Sequence, residues 1–342
     1  MPEPIVNRTI RVGFYGTGRF ANSRHIPILQ KLDGLEIVAL CDIDEDARMS
    51  TAEKLGIDKG HVYADGLEML ASEELDVLFS CVRAHNRIDV EATAARKGVH
   101  LFSEKPQATD FATARKISEA VQEGGAFSTV GFRERYRPMF HQLRAFLADK
   151  QVTHTRFTFL RPALESGLYE EEVGGGYILD WGVHAVDYTR YMTGLEFVQA
   201  QAYYNRPPEY DESLSASFNF QLSGGATTSL HFVTVLTSDG GMTDRRSGPL
   251  FTLYYLGGWV DIYRDSGETW SYDVNGEPVV VGETFDPWAA HDEMFIEAVR
   301  SGDDSAMRND YADGLLTLGP MLAGWESSRQ GGGCVDVKAF TA

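Results

Sequence analysis

Thr9-Ile10-Arg11-Val12-Gly13-Phe14-Tyr15-Gly16-Thr17-Gly18-Arg19-Phe20-Ala21 is the stretch on which the reading of the fold turns. Residues 9–15 form a short apolar run, and the next two glycines open a G-x-G-x-x-A pattern. A first glycine in such a loop permits a tight turn. A second lets the backbone approach a pyrophosphate, which then sits on the amides at a helix N-terminus. Gly16, Thr17, Gly18, Arg19 and Phe20 are therefore candidate cofactor-binding residues. Glycines end strands in many proteins, so the pattern counts only through its surroundings. The next apolar run, 35–41, leads into Asp42, 24 positions beyond Gly18. A carboxylate there bonds ribose hydroxyls and repels a 2′-phosphate, which favours NAD over NADP. The competing reading makes Asp42 a cap on the helix that starts near Asp44.

Outward from that stretch, strand and helix signals alternate. A helical pattern covers 45–55 and is closed by Gly56; 77–82 is a buried strand; 87–97 is a helix closed by Gly98. A strand over 99–103, a helix over 110–123 and a strand over 126–131 complete this half. Such alternation with short connections predicts a parallel, doubly wound sheet, the Rossmann arrangement, over residues 1–131. Its fourth strand signal delivers Ser103-Glu104-Lys105-Pro106. A Lys at the carboxyl end of a parallel strand points into the crevice where open α/β sheets bind ligands. The Pro biases Lys105 towards an extended backbone. A solvated Lys before a turn is the bland alternative, and it loses ground only because of the loop at Gly16 and a further centre downstream.

After Gly131 the pattern changes. Arg133-Glu134-Arg135-Tyr136-Arg137-Pro138 sets three arginines at alternate positions, which on an extended segment share one side. They suit either an anion site or, with more weight in so acidic a chain, pairing with acidic neighbours. A helix over 139–148 follows. Strand-like segments then dominate, at 152–160, 198–205, 213–222, 226–236, 250–256, 259–263 and 269–274. Leu214, Ala216, Phe218 and Phe220 alternate with polar residues, which predicts an open antiparallel sheet with one polar face. Helices over 288–300 and 311–329 complete a second domain, 132–342.

Within that domain lies Gly174-Gly175-Gly176-Tyr177-Ile178-Leu179-Asp180-Trp181-Gly182-Val183-His184. The glycines allow close approach of a ligand or positive backbone angles. A helical pattern runs on to Met192 and sets Asp180 and His184 at i and i+4, neighbours on one face, with Asp187 and Tyr191 extending the stripe. A His suits proton transfer near neutral pH, and an adjacent carboxylate orients it. The alternative is a pair that only ties two helices together. A metal is a weaker reading, because the pair lacks a compact third ligand and no C-x-x-C or H-x-x-x-H pattern occurs.

Composition sets the bounds. The chain has 342 residues, long for one core, with 43% apolar and 24% charged residues and a net charge of −19. That charge disfavours nucleic acid and anionic membrane as partners. Three cysteines fit a reducing compartment without a disulfide framework. No apolar signal region opens the sequence, so a cytoplasmic location is the default expectation.

Taken together, Gly16-x-Gly18-x-x-Ala21, Glu104-Lys105-Pro106 and the Gly174-Gly175-Gly176 run followed by Asp180-x-x-x-His184 resemble the Gfo/Idh/MocA dehydrogenases, a family that includes glucose-fructose oxidoreductase and inositol dehydrogenases. The resemblance covers nearly the whole chain. It implies a Rossmann domain with NAD, an α+β domain with a large open sheet, and dimers or tetramers built through that sheet. It implies that Lys105 binds the reacting hydroxyl and sits by the nicotinamide, with Glu104 beside it a further candidate cofactor-binding residue, and that Asp180 and His184 form the acid/base pair. The expected activity is oxidation of a secondary hydroxyl of a sugar, polyol or sugar derivative. The alternatives are an NAD-retaining, redox-neutral glycosidase on the same fold and a non-catalytic NAD- and sugar-binding sensor. One departure stands out. Where the family usually has Thr-Pro-Asn with a His three residues later, this chain has Val82-Arg83-Ala84 and Arg87, with His85 out of step. Arg137 stands where an Asn often precedes the Pro.

Overall fold

The computed structural model describes residues 2–5, 8–161, 175–210, 212–234, 248–264, 269–282 and 285–342. In chain order the strands are β1 (Ile10–Tyr15), β2 (Leu35–Cys41), β3 (Val62–Tyr63), β4 (Val77–Ser80), β5 (His100–Ser103), β6 (Ser128–Val130), β7 (Val152–Arg161) and β8 (Phe197–Asn205). They continue with β9 (Ser215–Leu222), β10 (Thr227–Thr234), β11 (Phe251–Tyr255), β12 (Gly258–Arg264), β13 (Trp270–Val274), β14 (Glu277–Val279) and β15 (Val335–Asp336). The helices are α1 (Arg19–Ser23), α2 (His25–Leu29), α3 (Glu45–Leu55), α4 (Gly66–Ser72), α5 (Ile88–Arg96) and α6 (Phe111–Gly124). Beyond them lie α7 (Pro138–Leu147), α8 (Gly176–Thr193), α9 (Pro287–Ser301), α10 (Tyr311–Arg329) and α11 (Val337–Thr341).

Among the described residues the strands make two sheets. The first has the order β3-β2-β1-β4-β5-β6 with every neighbouring pair parallel, the doubly wound arrangement expected from the sequence. Its order reverses between β1 and β4, and ligands of such sheets bind in the crevice outside the carboxyl ends there. The second is a nine-stranded sheet, β14-β13-β12-β11-β7-β10-β9-β8-β15, antiparallel except for the β7–β10 pair. Ala216, Phe218, Phe220 and Leu222 of β9 are buried while Ser217, Asn219 and Gln221 are exposed, so this sheet has the one polar face that alternation predicts. α10 covers the apolar face closely enough that a Cβ on Gly324 would stand 2.6 Å from the Phe218 ring.

The division of the chain differs from the expected 1–131 and 132–342. The first unit comprises Met1–Tyr136 and Asp286–Leu315, the second Arg137–Phe285 and Leu316–Ala342. The reason is packing. Phe295, Ile296, Ala298 and Val299 of α9 belong to the same buried cluster as Ile10, Phe14, Phe79 and Phe102. The helical pattern of 288–300 was legible, but not the sheet it covers. No helix among the described residues is long and apolar enough to cross a membrane.

Candidate active site

In the first unit the glycine loop follows β1 directly. Gly16 has φ +96°, a region that favours glycine, and a Cβ there would stand 2.8 Å from the Val82 nitrogen and the Cys81 carbonyl carbon. A Cβ on Gly18 would meet nothing within 4 Å. The loop is thus packed against the segment after β4 on one side and faces open space on the other, as a dinucleotide requires. Arg19 and Phe20 are exposed, and Phe20 packs edge-on against Trp288 at 5.0 Å between ring centroids. α1 has only five residues, so the loop amides rather than a long helix dipole face any bound anion.

Asp42 is tied to that loop. Its Oδ2 accepts the Thr17 N–H at 2.7 Å and its Oδ1 accepts the Asp44 N–H at 3.0 Å. The cap of α3 is Asp44, which accepts from the Ala47 N–H at 3.1 Å, so the capping alternative for Asp42 falls. Asp42 is held at the loop with acceptor capacity left on both oxygens.

At the carboxyl end of β5, Glu104 is 4% exposed and its carboxylate is engaged within the protein. Oε1 lies 3.1 Å from His25 Nε2, and Oε2 accepts the Lys105 N–H at 3.1 Å. His25 Nδ1 lies 2.9 and 3.0 Å from the two oxygens of Asp292. Both ring nitrogens therefore face carboxylates, and only the imidazolium has a hydrogen for each. Burial opposes that charge, but Asp292 and Glu104 outweigh it and hold the His25 pKa up at about 10. A Cβ on Gly131 would stand 2.6 Å from Glu104, so the carboxylate fills a closed slot. This triad fixes the backbone at Lys105. Sequence reading missed it, since the partners of His25 lie 79 and 267 positions away and no local pattern joins them.

The departure at Val82-Arg83-Ala84 also has a structure. Arg87 is buried and donates to the Val82 carbonyl from Nη2 at 2.7 Å and Nε at 3.1 Å. Its Nη1 donates to Ser103 Oγ at 3.0 Å, and that hydroxyl donates to Glu91 Oε1 at 3.0 Å. The segment that carries Arg133 and Arg135 is not extended. Residues Arg133–Tyr136 form a 3-10 turn, and Arg135 pairs with Asp313 at 2.7 Å while Arg133 lies over the Trp288 ring at 3.8 Å. The acidic-pairing reading holds for Arg135.

In the second unit, α8 is capped by Gly175 at φ +76°. Gly174 lies outside the described residues. Asp180 and His184 stand one turn apart on this helix; Asp180 is partly exposed and His184 is 4% exposed. The His184 ring has aromatic neighbours, Trp181 at 5.6 Å and Tyr188 at 5.8 Å. Tyr191 is turned to α7, its hydroxyl 3.1 Å from His141 Nδ1.

Residues 10–132 match the family model described as the oxidoreductase family with an NAD-binding Rossmann fold, and residues 142–245 match the model of the GFO/IDH/MocA C-terminal domain. The chain is 26% identical over 189 residues to a myo-inositol 2-dehydrogenase of Thermotoga maritima, covering 55% of this chain and 56% of that protein. It is 27% identical over 209 residues to a D-glucoside 3-dehydrogenase of Escherichia coli, covering 58% of each. These matches thus span little more than half the length of the curated relatives. The WlbA dehydrogenase of Bordetella pertussis, solved with NADH and UDP-GlcNAcA, shares the fold at a TM-score of 0.78 and 20% identity, over 96% of this chain and 99% of that one.

Proposed function

The chain belongs to the Gfo/Idh/MocA oxidoreductase family, and from that premise we propose that it is an NAD(H)-dependent dehydrogenase of a secondary hydroxyl on a sugar, polyol or sugar derivative. One observation carries most of the reading. Because the first sheet is all parallel, the loops after β1, β4 and β5 leave from one edge, so the Gly16–Gly18 loop and the pinned Lys105 backbone share the ligand-binding edge.

Gly16, Thr17, Gly18, Arg19 and Phe20 would hold the pyrophosphate, and Asp42 the adenosine ribose, favouring NAD over NADP. Bound NAD supplies a hydride acceptor. His184 takes the proton from the substrate hydroxyl. Asp180, a turn earlier and nearer solvent, orients the imidazole and passes the proton outward. Lys105 donates to the same substrate oxygen and stabilises its developing charge. Glu104 acts through Lys105, by fixing its amide. The same reading includes self-association through the polar face of the nine-stranded sheet.

The test is a screen of the purified protein with NAD or NADP against aldoses, inositols, uronates and anhydrosugars, following reduced nicotinamide. A rise with NAD and one substrate group is expected. Lys105→Ala should abolish it while leaving NAD affinity within a few-fold, and retained turnover would remove Lys105 from the mechanism. Release of free sugar from an aryl glycoside without net NADH would replace the dehydrogenase reading with redox-neutral cleavage.

A further inference from the structure

Four observations within the first unit converge on the segment 82–86. It follows β4 and lies on the far side of the β1/β4 switch point from β2 and Asp42. Its first residue is packed against the dinucleotide loop: a Cβ on Gly16 would stand 2.8 Å from Val82 N and 2.9 Å from Val82 Cγ1. The Val82 carbonyl is gripped twice by the Arg87 guanidinium, at 2.7 and 3.1 Å. At the other end the Asn86 carbonyl accepts the Tyr15 hydroxyl at 2.7 Å, and Tyr15 immediately precedes Gly16.

The guanidinium also reaches the strand that leads to Lys105, through Ser103 Oγ at 3.0 Å. Its counter-charge is Glu91, fully buried one turn along α5, with Oε1 3.8 Å from Arg87 Nε and bonded to the Ser103 hydroxyl. An arginine fork suits this place better than a lysine, because one rigid plane serves a carbonyl and a hydroxyl in different directions. Burying such an ion pair is costly, and a bare loop end does not need one.

We infer that Arg87 is a positioning residue for the cofactor, holding the 82–86 segment as the wall of the crevice that takes the nicotinamide half of the dinucleotide. The argument rests on the NAD reading above. In a doubly wound sheet the two nucleotide halves lie on opposite sides of the switch point, and the acidic residue after β2 marks the adenosine side. Loss of the Arg87 clamp therefore weakens NADH binding and spares AMP. A purely structural role for Arg87 would weaken both together or neither.

The experiment titrates the full-length protein with NADH and, separately, with AMP, by calorimetry, with thermal unfolding measured on each variant. Arg87→Met leaves Glu91 without its partner, so Arg87→Gln combined with Glu91→Gln keeps the buried site neutral. Tyr15→Phe loosens the other end of the segment without touching the buried pair. The expected result for the double variant is an NADH Kd raised at least about tenfold, with the AMP Kd changed by less than about threefold. Tyr15→Phe should move the NADH Kd in the same direction by a smaller factor. Unchanged NADH affinity in folded variants, or parallel loss of NADH and AMP affinity, would overturn the assignment. A wild-type chain that binds AMP and NADH equally weakly would overturn the cofactor reading itself, and this inference with it.

Discussion

His25 and His100 are both buried histidines of the first unit, and they titrate in opposite directions because of what faces their nitrogens. His25 stands between two carboxylates and against the Phe79 and Phe102 rings, and its pKa is held up at about 10. His100 uses Nδ1 to accept the Phe127 N–H at 3.0 Å, which requires that nitrogen unprotonated, and burial pushes its pKa down to about 4. The raised value of His25 means that its contribution to stability is complete below about pH 6.5 and is lost as pH climbs from there through about 10. The depressed value of His100 means that its contribution is present above about pH 6.5 and is lost as pH falls towards 4. His25→Gln should destabilise the protein by about 3–5 kcal/mol near neutral pH, since it leaves two buried carboxylates facing each other. Urea unfolding of wild type and variant across pH checks this: the gap should narrow between about pH 6.5 and 10. A gap that stays constant would show that His25 is neutral in the fold.

At the scale of elements, α5 and α6 approach so closely that a Cβ on Gly124 would fall inside the Ala95 carbonyl oxygen. Neither backbone can give way without moving a helix, so Gly124→Ala should lower stability by about 1–3 kcal/mol, read as a lower thermal midpoint. A midpoint equal to wild type would mean that the helices can separate. The helices themselves were readable where their ends are written locally. Asp44 and Asp110 cap α3 and α6, and Gly56 closes α3 at φ +70°. The strands of the first sheet were readable as apolar runs, and Asp180 and His184 as an i, i+4 pair. Short elements escaped. β3 and β15 have two residues each, too few for any period to show. The turn at Arg133–Tyr136 is not legible locally, because alternation of arginines looks the same whether the chain is a strand or a tight turn. The contacts that define the site were least legible, since Arg87 to Ser103 and His25 to Asp292 are long-range pairings that no local pattern encodes.

For the whole molecule the telling fact is that the chain passes between its two units three times, at 136/137, 285/286 and 315/316. α9 supplies Phe295, Ile296 and Val299 to the core of the first unit and Asp292 to His25. A fragment ending at Tyr136 should therefore lack a complete core and fail to give a cooperative unfolding transition. The same fragment joined by a flexible linker to 286–315 should regain one, as followed by circular dichroism. A cooperative transition in the short fragment would show that α9 is dispensable. Removal of the Rossmann core's last helix is in this sense a sharper probe of the fold than any single substitution in β1.

That threading has a consequence for the way the protein is made. A ribosome adding about 5–20 residues per second needs roughly 8–33 s to pass from residue 136 to residue 301. During that interval the nascent first sheet has its apolar cluster open on the side that α9 later closes. The second unit is no better placed, because its own segment Leu316–Ala342 follows the last segment of the first unit. Both units thus wait for residues 286–342, and slow translation or a premature stop there leaves two unfinished cores at once, each a substrate for chaperones or proteases.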